Sequence, residues 1–235
     1  MNYLFLLCIS FISMISFSQN LSLSESEKMV TKVISDTIKF KKLLAIRLYS
    51  NKAFNSSEIE EIINKSDFNG LISVLTLNFD EGIRILKKQD LVNTNYNIEN
   101  LFKIAKENTI RINKNNKFEK VPIHEDLDFY VVEDLNNLFV NSTIFDKEKL
   151  MKFSRKYGVV FATPTRGTVL LMPIREKDKF SKDIRVFYDV VSQMYLNESN
   201  PTSNAVFMLF KNEYYPIAPI LKNGTAINFS VPNIW

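Results

Sequence analysis

One arginine stands where a charged group could hold an anion. Arg166 lies in the segment Thr163-Pro164-Thr165-Arg166-Gly167, between the apolar stretches 159–162 and 169–172. Pro and Gly at these positions are typical of a tight turn, so the guanidinium is expected at the end of a hairpin. Its planar donors can bind a carboxylate or phosphate, or close a hydrogen-bond network on nearby carbonyls. Both a ligand contact and a structural contact stay open for this residue.

Carboxylates follow the single histidine of the sequence, His124, which we interpret as structural. Five acids follow it within ten residues: Glu125, Asp126, Asp128, Glu133 and Asp134. Carboxylate oxygens suit Ca²⁺, but the spacing lacks the Asp-x-Asn-x-Asp-Gly loop that marks such sites. Paired acids also serve glycoside hydrolases. A hydrolase that uses Glu125, Asp126, Glu133 and Asp134 is therefore one alternative function.

The sequence lacks the motifs of several large enzyme classes. Its five glycines are too far apart for G-x-G-x-x-G or a P-loop. A single histidine excludes H-E-x-x-H zinc sites, and neither S-x-x-K nor G-x-S-x-G occurs. The net charge is only +4, from 30 Lys+Arg against 26 Asp+Glu, with no long basic run. We therefore predict no metal, no cofactor and no nucleic-acid partner.

Two further residues are candidate ligand contacts. Aromatic residues make up 12% of the chain; at helical spacing they indicate a core, whereas an exposed Tyr214 can line a recognition surface. Asn108 follows an apolar helical face over 98–105, so it is either the C-cap of that helix or a ligand contact. Arg166, Asn108 and Tyr214 are thus the candidate ligand-binding residues.

The elements that position these residues begin with helices. A capping box at Ser24 and Glu27 predicts a helix whose apolar spacing continues to about Tyr49. Ser57 with Glu60 predicts a second, short helix. The apolar and β-branched run 71–79 predicts one strand in this N-terminal part of the chain.

The rest of the chain alternates short strands with helices. Strands are predicted at 121–123, 129–132 and 138–145. A helix capped by Asp146 is predicted to end at Gly158. The clearest hairpin joins 159–162 to 169–172, and its continuous apolar character predicts burial on both faces. Helical spacing from Ile184 to Tyr195 and a hairpin of 205–210 with 214–217 follow.

Short turns rather than helical crossovers join most neighbouring strands. This indicates an α+β fold, a mostly antiparallel sheet packed with several helices after an N-terminal helical region. No Gly/Ser or Pro linker divides the chain. We place a soft boundary near residue 90, between a helical region with one strand at 19–90 and an α+β domain at 91–235, unless the two form one domain.

The N-terminus carries an export pattern. Residues 4–18 are uncharged and almost wholly apolar or Ser, and Ser16 and Ser18 suit a signal-peptidase site. Cleavage after Ser18 is expected to remove the signal peptide 1–18 together with Cys8, the single cysteine. The segment is shorter than the ~20 residues that span a bilayer, so we predict no stable membrane span after cleavage.

Three segments carry a family resemblance. A predicted helix contains Ala105-Lys106-Glu107-Asn108, a valine-rich strand leads into Pro164-Thr165-Arg166-Gly167, and Pro201-Thr202-Ser203 precedes the last hairpin. In these segments, between about residues 85 and 217, the chain resembles the YtpQ-like family of uncharacterised bacterial proteins, a domain of unknown function. Gly167 stands where that family usually has Asp after the arginine. The resemblance implies a fold and no activity.

The sequence therefore predicts an exported, periplasmic or secreted α+β protein. Strong core patterns without a nucleophile, metal or phosphate motif favour a non-catalytic binding or interaction module whose partner is a protein or a small anionic ligand. The alternatives are the hydrolase described above and a cytosolic housekeeping protein that keeps residues 1–18.

Overall fold

A computed structural model describes residues 23–199, 201–222 and 226–230, and the side chains of 27–199 and 201–217. The predicted signal peptide lies outside these residues. Three helices and four strands form the first part of the described chain, in this order: α1 Leu23–Ser35, α2 Thr37–Leu43, β1 Leu44–Ser50, α3 Ser56–Glu61, β2 Asn64–Phe68, β3 Leu71–Phe79 and β4 Gly82–Ile85.

The first sheet is built around β3, the strand that the sequence predicts. β1 and β2 pair antiparallel on either side of it, and β4 also pairs with β3. The prediction of one long helix that reaches Tyr49 is wrong. Helix α1 ends at Ser35, and Asp36 caps α2 by accepting hydrogen bonds from the backbone N–H groups of Ile38 and Lys39. Leu44–Ser50 becomes a strand because β3 offers it a partner far away in sequence.

The second part of the chain supplies the remaining elements. They are a 3₁₀ helix Lys88–Leu91, α4 Ile98–Ile112, β5 Glu119–His124, β6 Leu127–Glu133, a 3₁₀ helix Val140–Phe145, α5 Lys147–Met151, β7 Val159–Ala162, β8 Thr168–Pro173, α6 Lys177–Asn197, β9 Val206–Phe210, β10 Glu213–Lys222 and β11 Ala226–Ser230. Seven strands form one sheet in the order β11-β10-β9-β7-β8-β6-β5, and every pairing is antiparallel. The predicted α+β class is confirmed.

Three local predictions in this part are wrong. The segment 138–145 forms no strand; its polar residues stay buried in a 3₁₀ helix, where Ser142 Oγ donates to the carbonyl of Ile46 at 2.9 Å. The helix after Asp146 stops at Met151. Gly158 does not end that helix but precedes β7. Glycine is needed there because φ is +103° and because a Cβ would lie 2.7 Å from the carbonyl oxygen of Leu209.

The seven-stranded sheet is covered on both faces, as the apolar hairpin predicts. One face packs on α6 through Phe180, Ile184, Phe187 and Val191. The other face joins Phe161, Leu171 and Phe207 to the four-stranded sheet, α1 and α4 in a single cluster. This core contains residues from both sides of residue 90.

In the part of the chain that the structure describes, no helix combines the length and the apolar character needed to cross a bilayer.

Candidate functional site

A groove of about 400 Å³ opens between the two sheets and α4. Its apolar lining comes from Ile46 on β1, Phe68 on β2, Phe102 on α4, Phe145 at the end of the second 3₁₀ helix and Tyr214 on β10. Six charged residues complete the lining: Lys65, Asp67, Glu99, Lys103, Lys106 and Lys147. We call this feature the lysine groove. Its volume lies in the range of small-molecule sites, about 300–1,000 Å³.

The apolar lining is a packed aromatic cluster. The ring of Phe68 lies 5.8 Å from that of Phe145, 5.2 Å from Phe207 and 5.1 Å from Tyr214, all tilted or edge-on. Such arrangements are favourable beyond the area that they bury. Phe68 and Phe145 are themselves only 5% and 4% exposed, so these rings give the groove a small apolar floor.

The charged lining carries an excess of lysine. Lys65 forms an ion pair with Glu99 at 3.2 Å, which neutralises both groups. Asp67 accepts a hydrogen bond from Ser73 Oγ at 2.7 Å. Among the described residues, the other three lysines of the groove, Lys103, Lys106 and Lys147, form no ion pair with a carboxylate. The groove thus presents positive charge beside aromatic rings.

The two half-buried lysines of the groove differ in their contacts. Lys147 Nζ donates to the carbonyl of Asn212 at 2.6 Å and lies 4.6 Å from the ring centre of Tyr214. Lys106 Nζ lies 5.5 Å from the ring centre of Phe145. Burial lowers the pKa of Lys106, and the positive charge of Lys147 lowers it further, against the opposing effect of Asp67.

Helix α4 supplies much of the charged lining because of its periodicity. Glu99, Phe102, Lys103 and Lys106 are spaced i, i+3, i+4 and i+7, which places them along one helix face. This spacing was available in the sequence as a signal. The sequence does not distinguish Lys103, Lys106 and Lys147 from lysines in solvent, because Phe68 and Tyr214, which complete the groove, come from distant segments.

Of the three candidate ligand-binding residues, only Tyr214 lies in the groove. Its hydroxyl donates to the carbonyl of Ile144 at 2.5 Å. Burial raises the pKa of Tyr214, and the charges of Asp146 and Asp67 raise it further. The phenol therefore stays protonated and positions the ring as one wall of the groove.

Asn108 is neither a C-cap nor part of the groove lining. Helix α4 continues to Ile112 with Asn113 as its C-cap, so the predicted end at Asn108 is wrong. The Asn108 Nδ2 group donates to the carbonyls of Lys41 at 2.7 Å and Leu44 at 2.8 Å. This buried amide ties α4 to the junction of α2 and β1.

Arg166 is exposed in the turn between β7 and β8 and is not part of the groove lining. Asn141 holds that turn, since its Nδ2 donates to the carbonyl of Thr165 at 2.9 Å and its Oδ1 accepts from the N–H of Gly167 at 2.7 Å. The guanidinium of Arg47, 4.7 Å from the ring centre of Tyr49, lies within electrostatic range of Arg166. The turn keeps its shape without help from the Arg166 side chain.

The acids of the hydrolase alternative do not converge. Asp126 lies directly before β6 and forms an ion pair with Lys179 at 3.2 Å. Glu133 ends the same strand and Asp134 follows it, about 20 Å away at a rise of ~3.3 Å per residue. In the described parts of the chain, no group of three His, Cys, Asp or Glu side chains could hold a metal ion.

Comparison with known proteins finds no relative of this chain. No protein-family model, no curated protein and no solved structure matches the chain. The YtpQ-like resemblance therefore stays a prediction.

Proposed function

We propose that the protein is a non-catalytic binding module for a small amphipathic anion, which it holds in the lysine groove. One observation carries the proposal: three lysines that pair with no carboxylate of the described residues lie beside a packed aromatic surface in a cavity of about 400 Å³. An apolar body against the rings and a carboxylate or phosphate near the lysines would match both parts of the lining.

The charge of the groove favours an anion over a neutral ligand. Lys106 and Lys147 are both half-buried, burial disfavours the ammonium of Lys106, and the charges of the two lysines repel one another. An anionic group between them would restore favourable interactions for both. Hydrogen bonds to charged groups contribute about 1.5–3 kcal/mol each, or roughly tenfold to a hundredfold in affinity.

The test uses three matched naphthalene probes and isothermal titration calorimetry. We expect 2-naphthoate to bind, 2-naphthylmethanol to bind more weakly and the cation 2-naphthylmethylamine to bind least. Lys106→Gln and Lys147→Gln should each weaken 2-naphthoate binding about tenfold or more. Lys88→Gln is the control, since Lys88 is exposed and outside the groove lining.

Equal binding of the three probes would contradict the proposal. So would 2-naphthoate binding that both groove variants leave unchanged.

We also propose that the protein is exported with cleavage after Ser18. The support is the uncharged apolar stretch 4–18 and the serines at its end. N-terminal sequencing of the native protein should begin at Gln19. Recovery of residues 1–18 intact would favour the cytosolic alternative.

A further inference from the structure

Lys106 differs from the other lysines of the groove in what surrounds its amine. It is half-buried, its Nζ lies 5.5 Å from the ring centre of Phe145, and no ion pair with a carboxylate reaches it among the described residues. Lys147 directs its ammonium to the carbonyl of Asn212, and Lys65 pairs with Glu99. Lys103, one turn earlier on α4, is exposed.

This environment raises the share of neutral amine at Lys106 above that of an exposed lysine. An ammonium that is partly removed from water and placed near other cations loses its proton more readily, which makes the amine a nucleophile. The charges that face it come from two other elements: Lys147 on α5, and Lys65 and Asp67 on β2. Burial and the two lysines lower the pKa of Lys106, while Asp67 opposes them.

We propose that Lys106 captures a carbonyl-bearing amphipathic anion as a reversible imine. This inference rests on the proposed function, because Lys103 and Lys147 must still attract the anionic end of the ligand. The step is covalent binding of the ligand and not turnover.

The atoms of the step balance without an oxidant or reductant. The lone pair of the neutral Nζ forms a bond to the carbonyl carbon, and the carbonyl oxygen takes a proton to give a carbinolamine. Loss of water then breaks the carbon–oxygen bond and leaves a C=N bond. The ligand oxygen and the two Nζ protons leave together as one water molecule.

The test uses 6-formyl-2-naphthoate, the naphthoate probe with an added aldehyde, together with cyanoborohydride at pH 7. Cyanoborohydride reduces an imine to a stable amine, which intact mass and peptide mapping then locate. We expect one adduct on Lys106, formed at least tenfold faster than any adduct on Lys103. Lys106→Arg should abolish this fast labelling, whereas Lys88→Arg, at an exposed lysine outside the groove lining, should keep it.

The outcomes separate the inference from the function on which it rests. Labelling spread equally over Lys106, Lys103 and exposed lysines would overturn the imine at Lys106. Calorimetric binding of 2-naphthoate by the same preparation would show that the anion site survives that result. Absence of 2-naphthoate binding would instead overturn the proposed function. A fast adduct confined to Lys106 would in that case still show that its amine is reactive.

Discussion

Asn108→Ala should destabilise the fold while leaving the lysine groove in place. The Asn108 amide donates to the carbonyls of Lys41 and Leu44 at 2.7 and 2.8 Å, and its Oδ1 accepts from Arg111. Alanine keeps the helix propensity of α4 but removes all of these contacts. The junction where α2 ends and β1 begins then loses its attachment to α4.

The magnitude follows from the groups left behind. Each hydrogen bond contributes about 0.5–1.5 kcal/mol net, and a buried carbonyl that loses its partner costs about 1–3 kcal/mol. Asn108 is only 6% exposed, so water does not readily replace the amide. The Leu44 carbonyl belongs to a buried residue and the Lys41 carbonyl to a half-buried one, so we expect a loss of about 2–4 kcal/mol in the free energy of unfolding, below the full cost of two buried groups. Asn108→Asp should cost at least as much, because a carboxylate oxygen would then face the carbonyls.

Urea unfolding monitored by circular dichroism measures the effect. Asn100→Ala is the matched control, since Asn100 lies on the same helix with an exposed side chain, and it should change the free energy by less than about 0.5 kcal/mol. A loss below about 0.5 kcal/mol for Asn108→Ala, or an equal loss in the control, would refute the assignment of Asn108 as the link between α4 and β1.

Three shorter predictions test other parts of the fold. Arg166→Ala should change the urea unfolding free energy by less than about 0.5 kcal/mol, because the side chain is exposed and Asn141 holds the turn. Gly158→Ala should lower it by about 2 kcal/mol or more, since φ is +103° and the new Cβ meets the Leu209 carbonyl oxygen at 2.7 Å. Asp128 is 8% exposed; burial opposes its ionisation, but Lys120 and Arg175 outweigh burial and lower its pKa. Asp128→Asn should therefore have a lower urea midpoint than the wild type at pH 7, and the gap should close as pH falls through that lowered pKa.

Local patterns predicted elements whose partners are near in sequence. The hairpin of β7 and β8 is confirmed, because Pro164 and Gly167 set the turn and the flanking runs are apolar. Helix α6 is confirmed in the same way, since its periodicity alone specifies a buried face. The helix-to-strand change at Leu44 was missed, because its cause is pairing with β3 about thirty residues later.

The three candidate ligand contacts remain predictions, and the structure places them apart. Tyr214 was expected to be exposed; it is half-buried, and its ring lines the lysine groove. Asn108 and Arg166 do not line the groove. The lysines were not identified, because a lysine on a helix face has the same local pattern whether it meets solvent or an aromatic cavity.

Composition and spacing alone determined the α+β class, the apolar central hairpin and the lack of common catalytic motifs. These properties depend on residues that are neighbours in sequence, so hydrophobic periodicity and turn residues are enough to predict them. Tertiary structure decided which charges share a cavity: Lys65 from β2, Lys106 from α4 and Lys147 from α5 meet there although up to 82 residues separate them. The packing of distant segments removes Lys106 and Lys147 partly from water, and the proposed anion site depends on that packing.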